Sequence, residues 1–517
     1  MSVHGFVGVL RGEAAKALIK RQIDEHSDGI ISVLARYEAS SAVHSLHEAI
    51  RAVEEFINIP RFSIDDDRDC QRLLSISLGK SFLDNPSPTL ELASRMLQRY
   101  VETGAVERYC RTLMLTAGIG RGFRQYPGPP FEAGAMLSNV CSAAAYYQTR
   151  RRHLVTLLYT MPAACSGSEH LTIMDALNVL LPQIDVSGAT VTGLHQYLAL
   201  MDVFDDFEIH ADEIGFSANH TYHALETDAL EPERASIMAM YELRPEQIDT
   251  PVLEPVAPDL VFSAAELRNG LKLLSAAYAA FDLDDQHFST LAQLIKFFIR
   301  HCRDNYFIEI PVEKFRSALC AQTVFDPEEL EALLLNTPSD YATNSNAYEP
   351  FIRVGDAVLS NVNLLSRFMY AFKNIHLGSR KRFQIHTGFI FEDMVKRDLK
   401  ALGFTLTGIK RINRKEFDVV TTRNGVIHNF QCKNNAIDLT LIESDRELFV
   451  RYNRSLVNYY RKALSKEEGR EALLKTELGL DQVEHYVVSR FPVMDRDPRI
   501  INYNQLLQRL SSIKAAT

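Results

Sequence analysis

The sequence lacks long hydrophobic runs and paired cysteines, and each absence excludes a class of protein. No run of about 18 apolar residues occurs, so no segment is predicted to span a membrane. The first residues have neither the long apolar centre nor the small-residue cleavage site of a secretory signal. The seven cysteines are scattered, odd in number and form no CxxC motif, which argues against a disulfide framework or a zinc site. Reduced thiols and a cytoplasmic protein without a membrane partner are therefore expected.

Internal repeats and low-complexity tracts are also absent, which excludes a repeat architecture. The 517 residues are too many for one hydrophobic core and predict roughly two to four domains. Apolar residues make up 46% of the chain and charged residues 24%, as in ordinary globular proteins.

Charge is unevenly distributed along the chain. The net charge is −10, yet residues 351–517 hold 28 Lys and Arg against 18 Asp and Glu, which gives +10. The preceding 350 residues hold 28 basic and 48 acidic residues, which gives −20. This asymmetry predicts a basic module that binds a polyanion and an acidic body that carries it.

Hydrophobic periodicity predicts three parts. Apolar residues recur at three- and four-residue spacing through residues 1–250, which predicts an acidic α-helical domain that ends near the prolines at 251, 255 and 258. A second helical segment is predicted over 260–345, and it closes in a polar loop near 337–350. From 351 to 517 the order helix, strand, strand, helix, strand predicts an α/β domain. The expected fold class is α+β and multidomain, with a large helical region before the α/β domain.

Three other motifs favour a structural interpretation over a functional one. The acidic stretch 202–213 lacks metal-site spacing and is typical of a solvated face. The sequence GIGRG at 118–122 has some likeness to a phosphate-binding loop, but its third glycine is misplaced and no Lys-Ser/Thr follows. The three arginines at 150–152 are typical of a solvated helix face, although they could contact nucleic acid.

The strongest local signal is the stretch EFDVVTTRNGVIHNFQCK, which predicts a β-hairpin. Asn424-Gly425 is typical of a two-residue turn, because both central positions need positive φ. With this turn, Asp418 faces Gln431 and Glu416 faces Lys433, all four on one face of the strand pair. The residues predicted on the opposite face are Phe417, Val419, Phe430 and Cys432.

A third acid is predicted to reach the hairpin from the preceding helix, near residues 387–402. The apolar stripe of that helix consists of Gly388, Phe391, Val395, Leu399 and Leu402. Glu392 lies at the edge of the stripe, so packing of the stripe on the sheet would direct it toward the hairpin. Two carboxylates, an amide and a lysine beside a basic surface suit metal-assisted phosphodiester cleavage. The acids would hold Mg²⁺ or Mn²⁺, the metal would activate a water, and the lysine would stabilise developing charge.

The pattern Glu392, Asp418 and Gln431-Cys-Lys433 resembles the PD-(D/E)XK nucleases of the restriction-endonuclease-like fold, in the Gln-x-Lys form of the Mrr-like branch. The resemblance covers residues from the helix at 387 to the C-terminus. It implies that Asp418 is the central metal ligand, Glu392 the helix-borne acid and Lys433 the catalytic lysine. It also implies that Gln431 takes the place of the second acid and that the Cys432 carbonyl is a further metal ligand. Two departures from the common pattern are the missing proline before Asp418 and the neutral amide at 431.

The resemblance implies a divalent-metal-dependent nuclease that hydrolyses DNA, duplex DNA above all, in bacterial defence against foreign DNA. Cleavage of RNA or branched DNA is left open by the fold analogy. The acidic helical region would bind a protein partner or a second copy of the chain. The alternative is a non-catalytic nucleic-acid-binding or scaffold protein with a degenerate nuclease domain, which the amide of Gln431 leaves open.

The site and the basic stretches around it also have structural interpretations. Asp418 and Lys433 could form only a cross-strand ion pair on a solvated face, which contributes little to stability. The basic stretches 373–382 and 410–415 could contact phosphates or could be merely solvated.

Overall fold

The computed structural model describes residues 7–125, 129–213, 215–220, 243–244, 251–256, 261–283, 285–345, 347–435 and 441–511. Within these ranges the chain is a mixed α+β protein, with a largely helical N-terminal region and most of its strands toward the C-terminus. The predicted fold class is confirmed at this level. No helix in the described ranges is long and apolar enough to cross a membrane.

The N-terminal region is built from amphipathic helices, several of which begin at a polar cap. Thr172 caps one of them, because its hydroxyl accepts the backbone N–H of Asp175 at 3.1 Å. The helices of this region are α1 Gly12–Leu34, α2 Ala39–Asn58, α3 Asp67–Leu74, α4 Lys80–Asp84, α5 Ser87–Leu97, α6 Thr103–Phe123, α7 Pro129–Met136, α8 Val140–Ala164, α9 Ile173–Gln183, α10 Ala189–Val203, α11 Ala264–Tyr278, α12 Gln286–Ile299, α13 Val312–Cys320, α14 Pro327–Leu334 and α15 Tyr341–Asn344. A small antiparallel sheet joins β1 Gly8–Leu10, β2 Ile209–Ala211 and β3 Phe216–Ser217.

A four-stranded sheet spans the boundary that the sequence predicted at 351. Its strands are β4 Cys302–Arg303, β5 Phe307–Pro311, β6 Ile352–Val354 and β7 Ala357–Asn361, in the order β4-β5-β7-β6. The hairpin of β6 and β7 turns at Gly355, whose φ is +59°. Because β7 pairs with β5, residues 352–361 belong with the preceding helices, and the body core continues as far as Phe383. A domain division at 351 would cut this sheet.

The C-terminal part forms a five-stranded sheet in the order β14-β13-β12-β11-β8. Its strands and the separate β9–β10 ribbon are β8 Thr405–Leu406, β9 Arg411–Ile412, β10 Lys415–Glu416, β11 Val419–Arg423, β12 Val426–Lys433, β13 Gln482–Ser489 and β14 Ile500–Asn502. The helices from 362 onward are α16 Val362–Gly378, α17 Lys381–Ala401, α18 Leu441–Ser444, α19 Arg446–Glu468, α20 Glu471–Leu478 and α21 Leu506–Ser511. Strands β8, β11 and β12 are antiparallel, whereas β12 and β13 are parallel and are joined through α19. The predicted order of helix, two strands, helix and strand is confirmed.

Helices cover both faces of this sheet. On one face, the predicted stripe of α17 packs on Val419 and Phe430. On the other face, Val457, Tyr460 and Leu464 of α19 pack on Val487. Helix α17 begins at Lys381 and not near 387, so it is longer than predicted. The apolar faces of α17 and α19 therefore fix the sheet between them.

The C-terminal sheet is anchored to the helical body by apolar and charged contacts. Four side chains of the C-terminal part lie in the core of the helical body, namely Ile442, Phe449, Val450 and Met494. Arg446 of α19 donates to Asp202 at 2.6 Å, and Arg496 pairs with Asp206 at 2.5 Å. These two aspartates come from the acidic stretch 202–213, which therefore serves in part as a docking surface for the C-terminal part.

Two of the other motifs lie in packed helices. Residues 118–122 lie inside α6, so GIGRG forms no phosphate-binding loop. The predicted solvated face at 150–152 is wrong. Arg150 donates to the buried Asp185 at 2.7 Å, Arg151 is itself buried, and Arg152 pairs with Glu443. Each of these arginines is therefore packed against other parts of the protein and does not form a solvated face.

Candidate active site

The predicted hairpin is present in the predicted register. Asn424 and Gly425 have φ values of +52° and +76°, as a two-residue turn requires. Val419 pairs with Phe430, and their side chains face α17. Asp418 lies one residue before this paired segment, so its predicted pairing with Gln431 is not part of the ladder.

The residues before Asp418 do not continue the strand, and the predicted facing of Glu416 and Lys433 is wrong. Glu416 lies in the β9–β10 ribbon, where it pairs with Arg411 and forms an ion pair with it. The backbone N–H of Phe417 donates to the Lys410 carbonyl at 3.0 Å. The Phe417 side chain consequently packs with Val420, on the face opposite to the predicted one.

Asp418 is held at the point where β11 begins. Its Oδ2 accepts a hydrogen bond from the backbone N–H of Cys432 at 2.8 Å. In an antiparallel pair the N–H and C=O of one residue point to the same neighbouring strand, so the Cys432 carbonyl is directed to the Asp418 side as well. Burial raises the pKa of the Cys432 thiol well above its ordinary range, so the carbonyl is the group there that suits a metal ligand.

Lys433 and Gln431 lie two residues apart on one face of β12. The Lys433 Nζ donates to the Gln431 Oε1 at 3.2 Å, and not to the Asp418 carboxylate. The same ammonium lies 5.8 Å from the centre of the Tyr459 ring on α19. Gln431 is buried, and its Nε2 has no hydrogen-bond partner in the described structure. The hairpin therefore contains no direct ion pair between Asp418 and Lys433.

Glu392 reaches the same site from α17. Burial raises the pKa of Glu392 to about 7, and the charge of Asp418 is the second cause. Lys396, whose Nζ lies 3.8 Å from Glu392 Oε2, and Lys433 act in the opposite direction. The pKa of Asp418 is also raised by burial, while Lys433 and the Cys432 N–H lower it. Glu392, Asp418 and Lys433 thus lie within electrostatic reach of one another.

A buried ion pair supports the site from the α19 side. Glu467 is buried, pairs with Arg470, and accepts a hydrogen bond from Asn429 Nδ2 at 2.9 Å. Arg470 also donates to the Glu416 carbonyl at 3.0 Å and lies 4.9 Å from the centre of the Phe417 ring. Arg470 thus fixes the chain where it leaves the sheet. Sequence reasoning missed this pair, since acids and bases three residues apart are common on helices.

The donor set fits a hard divalent cation with few protein ligands. Within the described ranges no group of three or more His, Cys, Asp and Glu side chains converges on one point. Mg²⁺ needs no such group, because it keeps several waters and is often held by one or two carboxylates. A cation between Asp418 and Glu392 would also offset the repulsion that contributes to the raised pKa of Glu392. Zinc, which takes three or four protein ligands, does not fit.

Protein-family models, curated proteins and solved structures give no match to this chain. The assignment of a function consequently rests on the geometry and chemistry of the site itself.

Proposed function

We propose that this chain is a divalent-metal-dependent nuclease that hydrolyses DNA phosphodiester bonds. The observation that carries the proposal is the convergence of Glu392 from α17, Asp418 from the start of β11 and Lys433 from the end of β12. Packing alone gives no reason to place two half-buried carboxylates close enough to raise a pKa, because withdrawing charge from water is costly. The helix, strand and crossover order around these residues supports a restriction-endonuclease-like domain.

The residues divide the chemistry between them. Asp418, Glu392 and the Cys432 carbonyl would hold Mg²⁺ or Mn²⁺. The bound metal supplies an acidified water and offsets charge on the phosphate. Lys433, oriented by the Gln431 amide, donates to the attacking water or to a phosphate oxygen as charge develops there. A role in bacterial defence rests on the family resemblance alone, whereas the proposed cytoplasmic location rests on the scattered cysteines.

A second candidate function is a non-catalytic nucleic-acid-binding or scaffold protein. The amide of Gln431 favours it, because a neutral side chain stands where the resemblance expects an acid. The small number of carboxylates also favours it, since weak metal binding would leave the site inactive.

Plasmid cleavage with Mg²⁺ or Mn²⁺, with and without chelator, tests the first proposal. Asp418→Asn keeps an acceptor for the Cys432 N–H, and Lys433→Met keeps the length of the side chain, so both variants should fold. Each should lower the cleavage rate by about a hundredfold or more, as expected when transition-state stabilisation is lost. Lys314→Met, on the exposed face of α13, is the matched control and should cut like the wild type.

Cleavage that survives in both site variants would reject this site as the catalytic centre. A wild-type protein that binds DNA but does not cut the plasmid with either metal would favour the second candidate.

A further inference from the structure

Helix α19 carries an exposed basic face. From Arg451 to Lys466 the sequence contains five basic residues and no acidic one. These exposed residues are Arg451, Arg454, Arg461, Lys462 and Lys466. Arg461 pairs with Asp495 at 2.7 Å, whereas the other four make no ion pair with any described residue. Four unneutralised cations along one helix face suit a polyanion.

Two tyrosines lie on the same face. Tyr452 and Tyr459 are 51% and 49% exposed, although a tyrosine ring gains by burial. They are seven residues apart, which places them two turns or about 10 Å apart along the helix. Tyr459 is also the ring beside the Lys433 ammonium. The row of cations and rings therefore passes the candidate active site at Tyr459.

We propose that this face of α19 binds an unpaired nucleic-acid strand and leads it to the site at Lys433. Phosphates would contact the four cations, and bases would stack on Tyr452 and Tyr459. Proteins that bind single strands combine a positive track with aromatic platforms in this way. A duplex fits less well, because its bases are already stacked on each other and offer no free face to a ring. The assignment of this strand as a substrate rests on the proposed nuclease function, whereas the binding itself does not.

Binding of the full chain to labelled single-stranded and duplex oligodeoxynucleotides, in chelator, tests the proposal. The wild type should bind the single strand more tightly than a duplex of the same sequence. Replacing Tyr452 and Tyr459 together by Ala should weaken single-strand binding about tenfold or more, and replacing both by Phe should restore it. Tyr348→Ala is the matched control, since Tyr348 is 53% exposed in the helical body.

The cations are tested by the salt dependence of binding. Lys462→Gln and Lys466→Gln should each lower the slope of log affinity against log salt by about one, because each removes a phosphate contact. Lys314→Gln should leave the slope unchanged. Equal affinity for single strand and duplex, with no effect of the tyrosine substitutions, would overturn the proposal.

The two proposals fail separately. Binding of the single strand without any cleavage after metal is added would reject the nuclease and keep the binding face. Cleavage that is unaffected by the Tyr452 and Tyr459 substitutions would keep the nuclease and reject this binding face.

Discussion

The amide of Gln431 is buried, and its oxygen accepts from Lys433. The next residue, Cys432, donates its backbone N–H to Asp418. Gln431→Glu adds a negative charge there, so the metal-free site gains repulsion and the metal-bound site gains a ligand. We expect a lower melting temperature in chelator, a larger rise on adding Mg²⁺, and cleavage that is retained or faster. Calorimetric titration with Mg²⁺ checks the affinity, with Gln98→Glu on the body surface as control. An unchanged affinity would show that residue 431 does not contact the metal.

Glu392 ties the stability of the metal-free protein to pH. Its pKa is about 7 in the folded chain against an ordinary value of 4.5, so its ionisation opposes folding. The contribution of Glu392 to the free energy of unfolding is fully present below pH 4.5, and it is lost as the pH rises to about 7. Glu392→Gln should therefore be more stable than the wild type by roughly 1–3 kcal/mol near pH 8, and by less near pH 5. Urea unfolding in chelator measures both differences, and a difference that does not vary with pH would contradict the assigned burial.

At the scale of elements, the turn of the hairpin sets the positions of Asp418 and Lys433 relative to each other. Gly425 has a φ of +76°, where a Cβ is strained even though the space around it is open. Gly425→Ala should lower the free energy of unfolding by about 1 kcal/mol and slow cleavage, because the register is set there. Gly118→Ala is the control: it also lies in open space, but inside α6, where Ala is favoured over Gly. Equal stability of both variants would mean that the turn tolerates a side chain.

The hairpin and the α17 stripe could be predicted because local and tertiary preferences agree there. The dipeptide Asn424-Gly425 fixes the register, and strand alternation then separates Val419 from Val420. The departure of the chain at Phe417 could not be predicted in the same way. It depends on the turn of the β9–β10 ribbon at Asn413 and Arg414, both of which have positive φ. It also depends on the hydrogen bond that Arg470 donates to the Glu416 carbonyl.

Contacts between charged residues that are far apart in the sequence could not be predicted either. Arg152 and Glu443 are 291 residues apart, and Arg150 finds its partner 35 residues away at Asp185. A run of three arginines carries no sign of such partners, so solvation was the natural interpretation. The strand pairing of β5 with β7 was hidden for the same reason, since each half of the sheet has an ordinary sequence on its own.

At the scale of the whole molecule, buried histidines predict acid sensitivity. Burial lowers the pKa of His47 and of His153 to about 3, so both are neutral in the folded body. Their unfolded forms take up protons below about pH 6.5, so stability is lost as the pH falls below that value. Each histidine should reduce the free energy of unfolding by about 2 kcal/mol between pH 7 and about pH 5.

Urea unfolding at these two pH values measures the loss. His47→Asn should show a smaller loss than the wild type, while the exposed His44→Gln should lose as much as the wild type. A wild-type protein equally stable at both values would contradict the burial of neutral imidazoles.

Helix α17 belongs to two cores at once. Phe383 near its start packs between the rings of Tyr278 and Phe281, with ring centres 5.9 and 5.3 Å away, while Phe391 packs in the core of the C-terminal sheet. Glu392 lies about 13 Å along the helix from Phe383, at the rise of an α-helix. One continuous helix therefore joins the core of the helical body to the core of the C-terminal sheet. The acid Glu392 is therefore carried by an element that the helical body and the C-terminal sheet share.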